Sequence, residues 1–355
     1  MIVLSGFFLT IIRPSQEKGK GGQRLFTLTI DILRISGIID SIRFKLEVIP
    51  MEVLYLLEEL RTPLLDTIVS ALTHLGGETV FLIAALAVFW CVDKRQGYYL
   101  MSVGFMGTLV NQFLKITCRI PRPWVRDPDF TIVEAARAEA TGYSFPSGHS
   151  TSSVGTFGVL ATEGKRLWLR IAAALLCFLI PLTRLYLGVH TPADVLVGSA
   201  IPLFFIVVLR PVIYRDNGKH IPKLMAVMVL CAAAFVGYME HHPFPLNVDA
   251  DNLNSALKNS YTLFGALGGM ILVYYVDQKR DFSTEAVWYA QLLKTVLGLA
   301  LALAVKEGLK LPLDSLFSGH MIARAIRYML LVVFAGIIWP MTFPLFQKLG
   351  RKDEA

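Results

Sequence analysis

Long apolar runs recur along this chain and constrain its fold more than any other feature. A bilayer core about 30 Å thick is crossed by about 20 apolar residues in helical form, and several runs approach that length. They lie at 77–91, 98–117, 149–163, 167–185, 192–212, 222–239, 262–277, 287–306 and 323–347. Only 17% of the residues are charged, against about 25% in soluble domains. The sequence therefore predicts an all-α, polytopic membrane helix bundle of about nine spans.

The chain divides into three predicted regions. Residues 1–50 hold an apolar start that is too short to span a membrane, followed by a polar, glycine-rich stretch. We interpret them as an uncertain N-terminal extension, because Met51 opens a segment that would make a sensible start. Residues 51–240 are predicted to form a membrane-embedded core, and residues 241–355 to form additional C-terminal transmembrane helices.

Lysine and arginine concentrate in alternate loops, which the positive-inside rule places in the cytoplasm. They are Lys94 and Arg95; Lys165, Arg166 and Arg170; Arg215, Lys219 and Lys223; Lys279 and Arg280; and Lys348, Arg351 and Lys352. Loops 118–148, 186–191 and 240–260 are then expected to face outward, although 118–148 breaks the rule with four arginines. Because the cations lie in short loops, the net charge of +7 does not indicate nucleic-acid binding. We expect an integral protein of a bacterial plasma membrane with a functional extracytoplasmic end.

Gly76 and Gly77 lie inside one long apolar stretch. They are predicted to interrupt it and to leave 64–75 as a separate short helix.

Three short segments at the outer ends of apolar helices concentrate ionisable residues, which are costly at membrane depth and therefore functional candidates. They are Lys115–Pro123, Pro146–His149 and Thr183–Asp194. Lys115, Arg122 and Arg184 supply cations that suit phosphate oxygens. Ser147 and Gly148 open a predicted helix, and the N–H groups at a helix start bind anions. Together the segments predict an oxyanion pocket.

Two histidines accompany this pocket. One of His149 and His190 could attack phosphorus while the other protonates the leaving group. Asp194 follows His190 by four residues and would face it if the helix extends back that far, which would fix the ring tautomer. Simpler explanations exist for Asp194 as a helix cap, Arg184 as an interfacial cation and Lys115 as a snorkelling side chain. The coincidence of all three segments favours the functional explanation.

The remaining polar features give weaker signals. The sequence holds no HExxH motif, cysteine cluster or glycine-rich nucleotide loop, so we expect no metal and no cofactor. The other histidines, His74 among them, lack clustered cations and are interpreted as loop or interface residues. The loop 124–145 either shapes a head-group pocket or is only a solvated connection. Its candidate pocket residues are Trp124, Arg126, Asp127, Arg137, Tyr143 and Phe145.

The three segments resemble the signature of the type 2 phosphatidic acid phosphatase superfamily, which reads K-x6-RP, PSGH and SR-x5-H-x3-D. The matching residues are Lys115, Arg122 and Pro123; Pro146, Ser147, Gly148 and His149; and Arg184, His190 and Asp194, with Thr183 in the serine place. The resemblance covers about residues 60–240 and implies a six-helix phosphatase core. About three extra C-terminal transmembrane helices then lie outside that core.

The resemblance also implies a role for each matched residue. His190 would be the nucleophile and form a phosphohistidine, Asp194 would orient it, and His149 would protonate the leaving group and then activate water. The residues expected to bind the phosphate are Lys115, Arg122, Ser147, Gly148 and Arg184. The family needs no metal for hydrolysis.

These expectations lead to a membrane phosphatase for a lipid phosphate or pyrophosphate. Polyprenyl pyrophosphate is marginally favoured over phosphatidic acid and phosphatidylglycerol phosphate, because the site is expected to face outward. A lipid phosphotransferase and a transporter with a vestigial site stay open as alternatives. Vanadium haloperoxidases have a similar signature but are soluble, which disfavours that activity. The expected partners are the lipid substrate and the bilayer, with a homo-oligomer left open.

Overall fold

The computed structural model describes residues 51–280 and 282–349, and the proposed extension 1–50 lies outside them. The helices are α1 (Glu52–Glu59), α2 (Pro63–Thr73), α3 (Glu78–Cys91), α4 (Lys94–Cys118), α5 (Pro123–Arg126), α6 (Gly148–Glu163), α7 (Leu167–Tyr186), α8 (Pro192–Tyr214), α9 (Ile221–His241), α10 (Ala250–Arg280), α11 (Trp288–Gly308), α12 (Lys310–Leu316), α13 (Ile322–Val333) and α14 (Phe343–Lys348). Within the described residues no strand occurs, so the all-α prediction is confirmed.

Several helices have the length and composition of membrane spans. Five described helices are long and apolar enough, or six when the bent pair α2–α3 counts as one span. That pair bends by 49°, which confirms the predicted interruption at Gly76 and Gly77. Helices also form at the predicted spans 98–117, 149–163 and 262–277, but α6 has only 16 residues and α4 and α10 carry many polar side chains. The chain is therefore an integral membrane protein built from helices.

The prediction of a loop over 240–260 is wrong for its second half. Helix α10 begins at Ala250 and runs for 31 residues, well beyond the apolar run that predicted it. Its first turns are polar, so hydropathy alone does not reveal them. They are nevertheless packed, since Ala256 shares a buried apolar cluster with Ile116 and Phe235. A polar helical segment thus lies at the end of the bundle where an outward-facing loop was predicted.

Helices α4, α6 and α8 pack against one another at the centre of the bundle, and α7 covers α6. Each of the three central helices begins at a capping side chain that accepts a hydrogen bond from the first turn. The caps are Asp93 for α4, Ser147 for α6 and Thr191 for α8. Because the caps set where each helix starts, they also set the positions of the residues in the first turns of α6 and α8.

Helix α10 joins this core to the C-terminal helices α11–α14. It packs against α4 and α9 on the core side and against α13 on the other. Gly265 permits the second contact, since a Cβ there would lie 2.0 Å from the carbonyl oxygen of Ala325. Trp90 Nε1 also donates to Ala335 O at 2.9 Å, and this bond connects α3 to the C-terminal helices. The C-terminal helices are therefore packed onto the core through specific contacts.

The contact between α10 and α13 can be tested with matched glycine substitutions. We expect Gly265→Ala to lower the thermal unfolding temperature in detergent by several degrees, because the methyl group meets backbone atoms and overpacking costs about 1–3 kcal/mol. Gly268→Ala on the same helix is the control, since its Cβ would meet nothing within 4 Å. Equal unfolding temperatures for the two variants would contradict this packing.

Candidate active site

A cavity of about 390 Å³ lies where the end of α4, the start of α6 and the α7–α8 turn meet. Five of the predicted site residues line it: Lys115, Arg122, Gly148, His149 and His190. The other three, Ser147, Arg184 and Asp194, are buried and do not line the cavity. The structure therefore brings the three predicted segments together at one end of the bundle.

His190 is buried in the turn between α7 and α8, between a carboxylate and a guanidinium. Its Nδ1 lies 3.5 Å from Asp194 Oδ2, and its Nε2 lies 2.9 Å from Arg122 Nη1. The same Nη1 also lies 3.4 Å from Nδ1, so this contact does not fix the ring proton, but the acceptor Asp194 favours a proton on Nδ1. This tautomer leaves Nε2 with the lone pair that a nucleophile needs.

The environment also keeps this ring uncharged. Burial holds the pKa of His190 well below its usual range, and the nearby cations Arg122 and Lys115 lower it further. Arg184 acts in the same direction, which places its charge near the ring as well. The imidazole is therefore neutral at pH 7.

Asp194 both caps α8 and faces His190. The Thr191 N–H donates to Asp194 Oδ2 at 2.7 Å, while Thr191 Oγ1 accepts from the Asp194 N–H at 3.4 Å. The Ser144 hydroxyl donates to the same Oδ2 at 2.6 Å. Helix α8 starts at Pro192 and does not extend back to His190, so the turn before the helix brings the ring to the carboxylate. The Asp194 side chain can thus cap helix α8 and also orient the ring of His190.

Arg184 is fully buried in the last turn of α7. Its Nη1 donates to Thr73 Oγ1 at 2.7 Å, but its Nε and Nη2 have no hydrogen-bond partner within the described residues. Thr183, which stands in the serine place, donates to the same Thr73 oxygen at 3.0 Å and helps to fix this anchor. Two unpartnered N–H donors on a buried guanidinium match the oxygens of a phosphate group.

The other two cations also hold the loop between α4 and α6. Lys115 Nζ donates to the Tyr143 carbonyl at 2.7 Å. Arg122 donates to the carbonyls of Thr141 at 2.7 Å and Val189 at 2.9 Å. These bonds fix the loop and the α7–α8 turn around the cavity, so both side chains have a structural role beside any contact with a ligand.

The start of α6 forms another part of the cavity. The Ser147 hydroxyl accepts from the Ser150 N–H at 3.3 Å and from its hydroxyl at 2.9 Å, so it caps the helix. Gly148 lines the cavity, and a Cβ there would meet nothing within 4 Å, which leaves the first turn open to an anion. Gly198 of α8 allows this close approach, since a Cβ on it would lie 2.6 Å from Ser147 O.

Glu139 is a candidate site residue that sequence reasoning missed. Its Oε2 lies 3.1 Å from His149 Nε2, and its Oε1 lies 2.7 Å from His74 Nδ1. Burial raises the pKa of Glu139, but the two histidines lower it below its usual range, so the carboxylate is ionised. In the sequence, the one feature that could have indicated a role for Glu139 in the site is its position in the loop that precedes Pro146. His74, interpreted as an ordinary loop residue, contacts the site through this carboxylate.

The loop 124–145 forms part of the cavity wall. The residues that line it are Glu139, Thr141, Gly142 and Tyr143. Trp124 instead lies beside the guanidinium groups of Arg122 and Arg137, and Asp127 accepts a hydrogen bond from the Tyr55 hydroxyl. Of the six candidate residues in this loop, only Tyr143 thus faces the cavity. In the described part of the chain, no group of three or more His, Cys, Asp or Glu side chains has the arrangement of a metal site.

Comparisons with known proteins place these observations in a family. The profile described as PAP2 superfamily matches residues 95–218, which include every predicted site residue. The profile described as PAP2 superfamily phosphatase, transmembrane extension, matches residues 261–352. No solved structure matches the chain.

Three curated relatives are phosphatases of membrane lipids. Phosphatidylglycerophosphatase B of Bacillus subtilis is 29% identical over 166 residues, which cover 42% of this chain and 76% of that protein. Lipid A 4'-phosphatase of Bacteroides thetaiotaomicron is 30% identical over 105 residues, 28% of this chain and 46% of that protein. Undecaprenyl-diphosphatase of Sulfolobus acidocaldarius is 27% identical over 137 residues, 38% of this chain and 64% of that protein. The chain thus spans about half to three quarters of these relatives.

Proposed function

Because this chain belongs to the PAP2 superfamily of membrane lipid phosphatases, we propose that it hydrolyses a lipid phosphate or pyrophosphate through a phosphohistidine and without a metal ion. The observation that carries the proposal is the environment of His190. A neutral imidazole with its lone pair on Nε2 lines a cavity whose other side chains include Lys115 and Arg122. A nucleophile among cations suits the attack on a phosphate anion.

In the first step, His190 Nε2 attacks phosphorus and the bond from phosphorus to the lipid oxygen breaks. His149 gives a proton to that oxygen, so the leaving group departs as an alcohol or a lipid phosphate. The new N–P bond leaves the imidazole ring positively charged. Asp194, 3.5 Å from Nδ1, stabilises this charge and keeps the ring oriented.

In the second step, water attacks the phosphorus of the phosphohistidine. His149, which lost its proton in the first step, now takes one from the water. The N–P bond breaks, inorganic phosphate leaves, and His190 returns to its neutral form. One lipid ester or anhydride bond and one water are consumed for each phosphate released.

Three cations bind the phosphate during both steps. Lys115, at the end of α4, supplies an ammonium that lines the cavity, and Arg184, which is buried behind the lining residues, offers two N–H donors that have no described partner. The Arg122 Nη1 group beside His190 Nε2 transfers its hydrogen bond to a phosphate oxygen when phosphorus approaches. The open backbone at Gly148 adds an N–H group at the helix start.

We also place the site on the extracytoplasmic face of a bacterial plasma membrane. The support is the distribution of charge, since the lysine- and arginine-rich loops lie at the opposite helix ends. The domain division, with a phosphatase core at 51–240 and added helices at 241–355, stays a prediction. It agrees with a connection between His241 and Ala250.

The proposed reaction is tested by phosphate release from the purified chain in detergent with EDTA present. We expect release from at least one of phosphatidylglycerol phosphate, phosphatidic acid and undecaprenyl pyrophosphate, unchanged by EDTA. His190→Ala should reduce it at least about a thousandfold, because the attacking atom is removed. His220→Ala, at the α8–α9 connection, is the control. Loss of activity with EDTA, or near-normal turnover by His190→Ala, would refute the mechanism.

The contact between Glu139 and His149 gives a second test, which depends on the leaving group. Glu139→Gln should slow the hydrolysis of alkyl phosphates about tenfold or more, because their alkoxide needs the proton from His149. An aryl phosphate leaves without that proton and should be much less affected. Glu134→Gln is the matched control, since Glu134 pairs with Arg137 in the same loop. An equal loss with both kinds of substrate would show that Glu139 does not position the acid.

A further inference from the structure

The first turns of helix α10 contribute directly to the wall of the active-site cavity. Asn252, Ser255 and Asn259 of α10 line it together with the catalytic residues. Their spacing of three and four residues places them on one face of the helix. The family's core profile ends at residue 218, so these residues are not part of the motifs that carry the reaction.

Neighbouring contacts hold this polar face in place. Asn259 Nδ2 donates to Gln112 Oε1 at 3.1 Å, and Gln112 lies on α4, one turn before Lys115. Asn252 lies beside the loop, where a Cβ on Gly142 would be 3.6 Å from Asn252 Oδ1. Ala256, which also lines the cavity, is buried in a cluster with Ile116 of α4. The amide groups are therefore presented to the cavity by packed elements.

The cavity has two chemically different regions. Among its described lining residues the lysine and arginine side chains are Lys115 and Arg122, both from the first motif. The remaining polar lining beyond the two histidines consists of amides, hydroxyls and the carboxylates Glu78 and Glu139. One phosphate is thus matched by cations, while a second phosphate bonded directly to it, as in a pyrophosphate, would find no further lysine or arginine among the described lining residues and would meet the carboxylate of Glu139.

We propose that this face of α10 selects a phosphate monoester whose leaving alcohol carries further free hydroxyls, as a glycerol or a sugar does. The proposal rests on the phosphatase function proposed above. Asparagine and glutamine each present a donor and an acceptor, and a hydroxyl group needs both. Carboxylates accept from hydroxyls as well. The face therefore matches a polyol and disfavours a pyrophosphate, in contrast to the marginal preference drawn from the outward location.

Substrates that differ only in their leaving group test this selection. We would measure kcat/KM for phosphatidylglycerol phosphate and for phosphatidic acid with the same acyl chains, and for undecaprenyl pyrophosphate. We expect the glycerol-bearing monoester to be preferred over both. Asn259→Ala should lower the ratio of phosphatidylglycerol phosphate to phosphatidic acid about three- to tenfold, as the loss of one hydrogen bond predicts.

Two further variants complete the design. Ser255→Ala should lower the same ratio, and it removes only an exposed hydroxyl. Asn254→Ala is the matched control, because at about 100° per residue it lies on the opposite face of α10 and should leave the ratio unchanged. Measurable turnover of phosphatidic acid by each variant shows that it is folded.

The outcomes separate this inference from the function on which it rests. Phosphate release from none of the three lipids would refute the phosphatase function itself. Release with no preference for the glycerol-bearing lipid, or with a preference for the pyrophosphate, would refute the selection by α10 alone. An unchanged ratio in both Asn259→Ala and Ser255→Ala would do the same.

Discussion

The buried guanidinium of Arg184 is the group on which the rest of the site depends. Removing such a charge from water costs several kcal/mol, and among the described residues Thr73 supplies its one hydrogen-bond acceptor. Arg122 and Lys115 add positive charge nearby, and the three cations reinforce the burial that keeps His190 neutral. The capped starts of α6 and α8 set the positions of Gly148 and His149 and of Asp194, respectively. The bundle thus holds three cations at or beside the cavity, where they favour the binding of an anion.

Helix α10 forms part of the wall of this cavity. Helix α10 packs on α4, and the polar face of its first turns lines the same cavity as His190 and His149. The close packing at Gly265 and the hydrogen bond from Trp90 to Ala335 hold the C-terminal helices against the rest of the bundle. The predicted site residues therefore lie within the matched core profile, while part of the cavity wall belongs to helix α10 beyond it.

The sequence alone predicted the helical fold, the bend at Gly76 and the convergence of three motifs, because apolar runs and motif spacing are local signals. It did not predict Glu139 or the contact of His74, because these depend on how a long loop folds over the start of α6. It also treated the first turns of α10 as a loop, since a polar helix that faces a cavity has no hydropathy signal. Such residues are recognised only through tertiary contacts.

The most direct test of the account is the identity of the phosphorylated residue during turnover. The protein would be mixed with a 32P-labelled lipid phosphate, quenched at alkaline pH, digested and mapped by mass spectrometry. A His190 nucleophile predicts an acid-labile, alkali-stable phosphate on that residue, and none in the His190→Ala variant. A phosphate on His149, on a carboxylate, or on no residue under conditions of active turnover would contradict it.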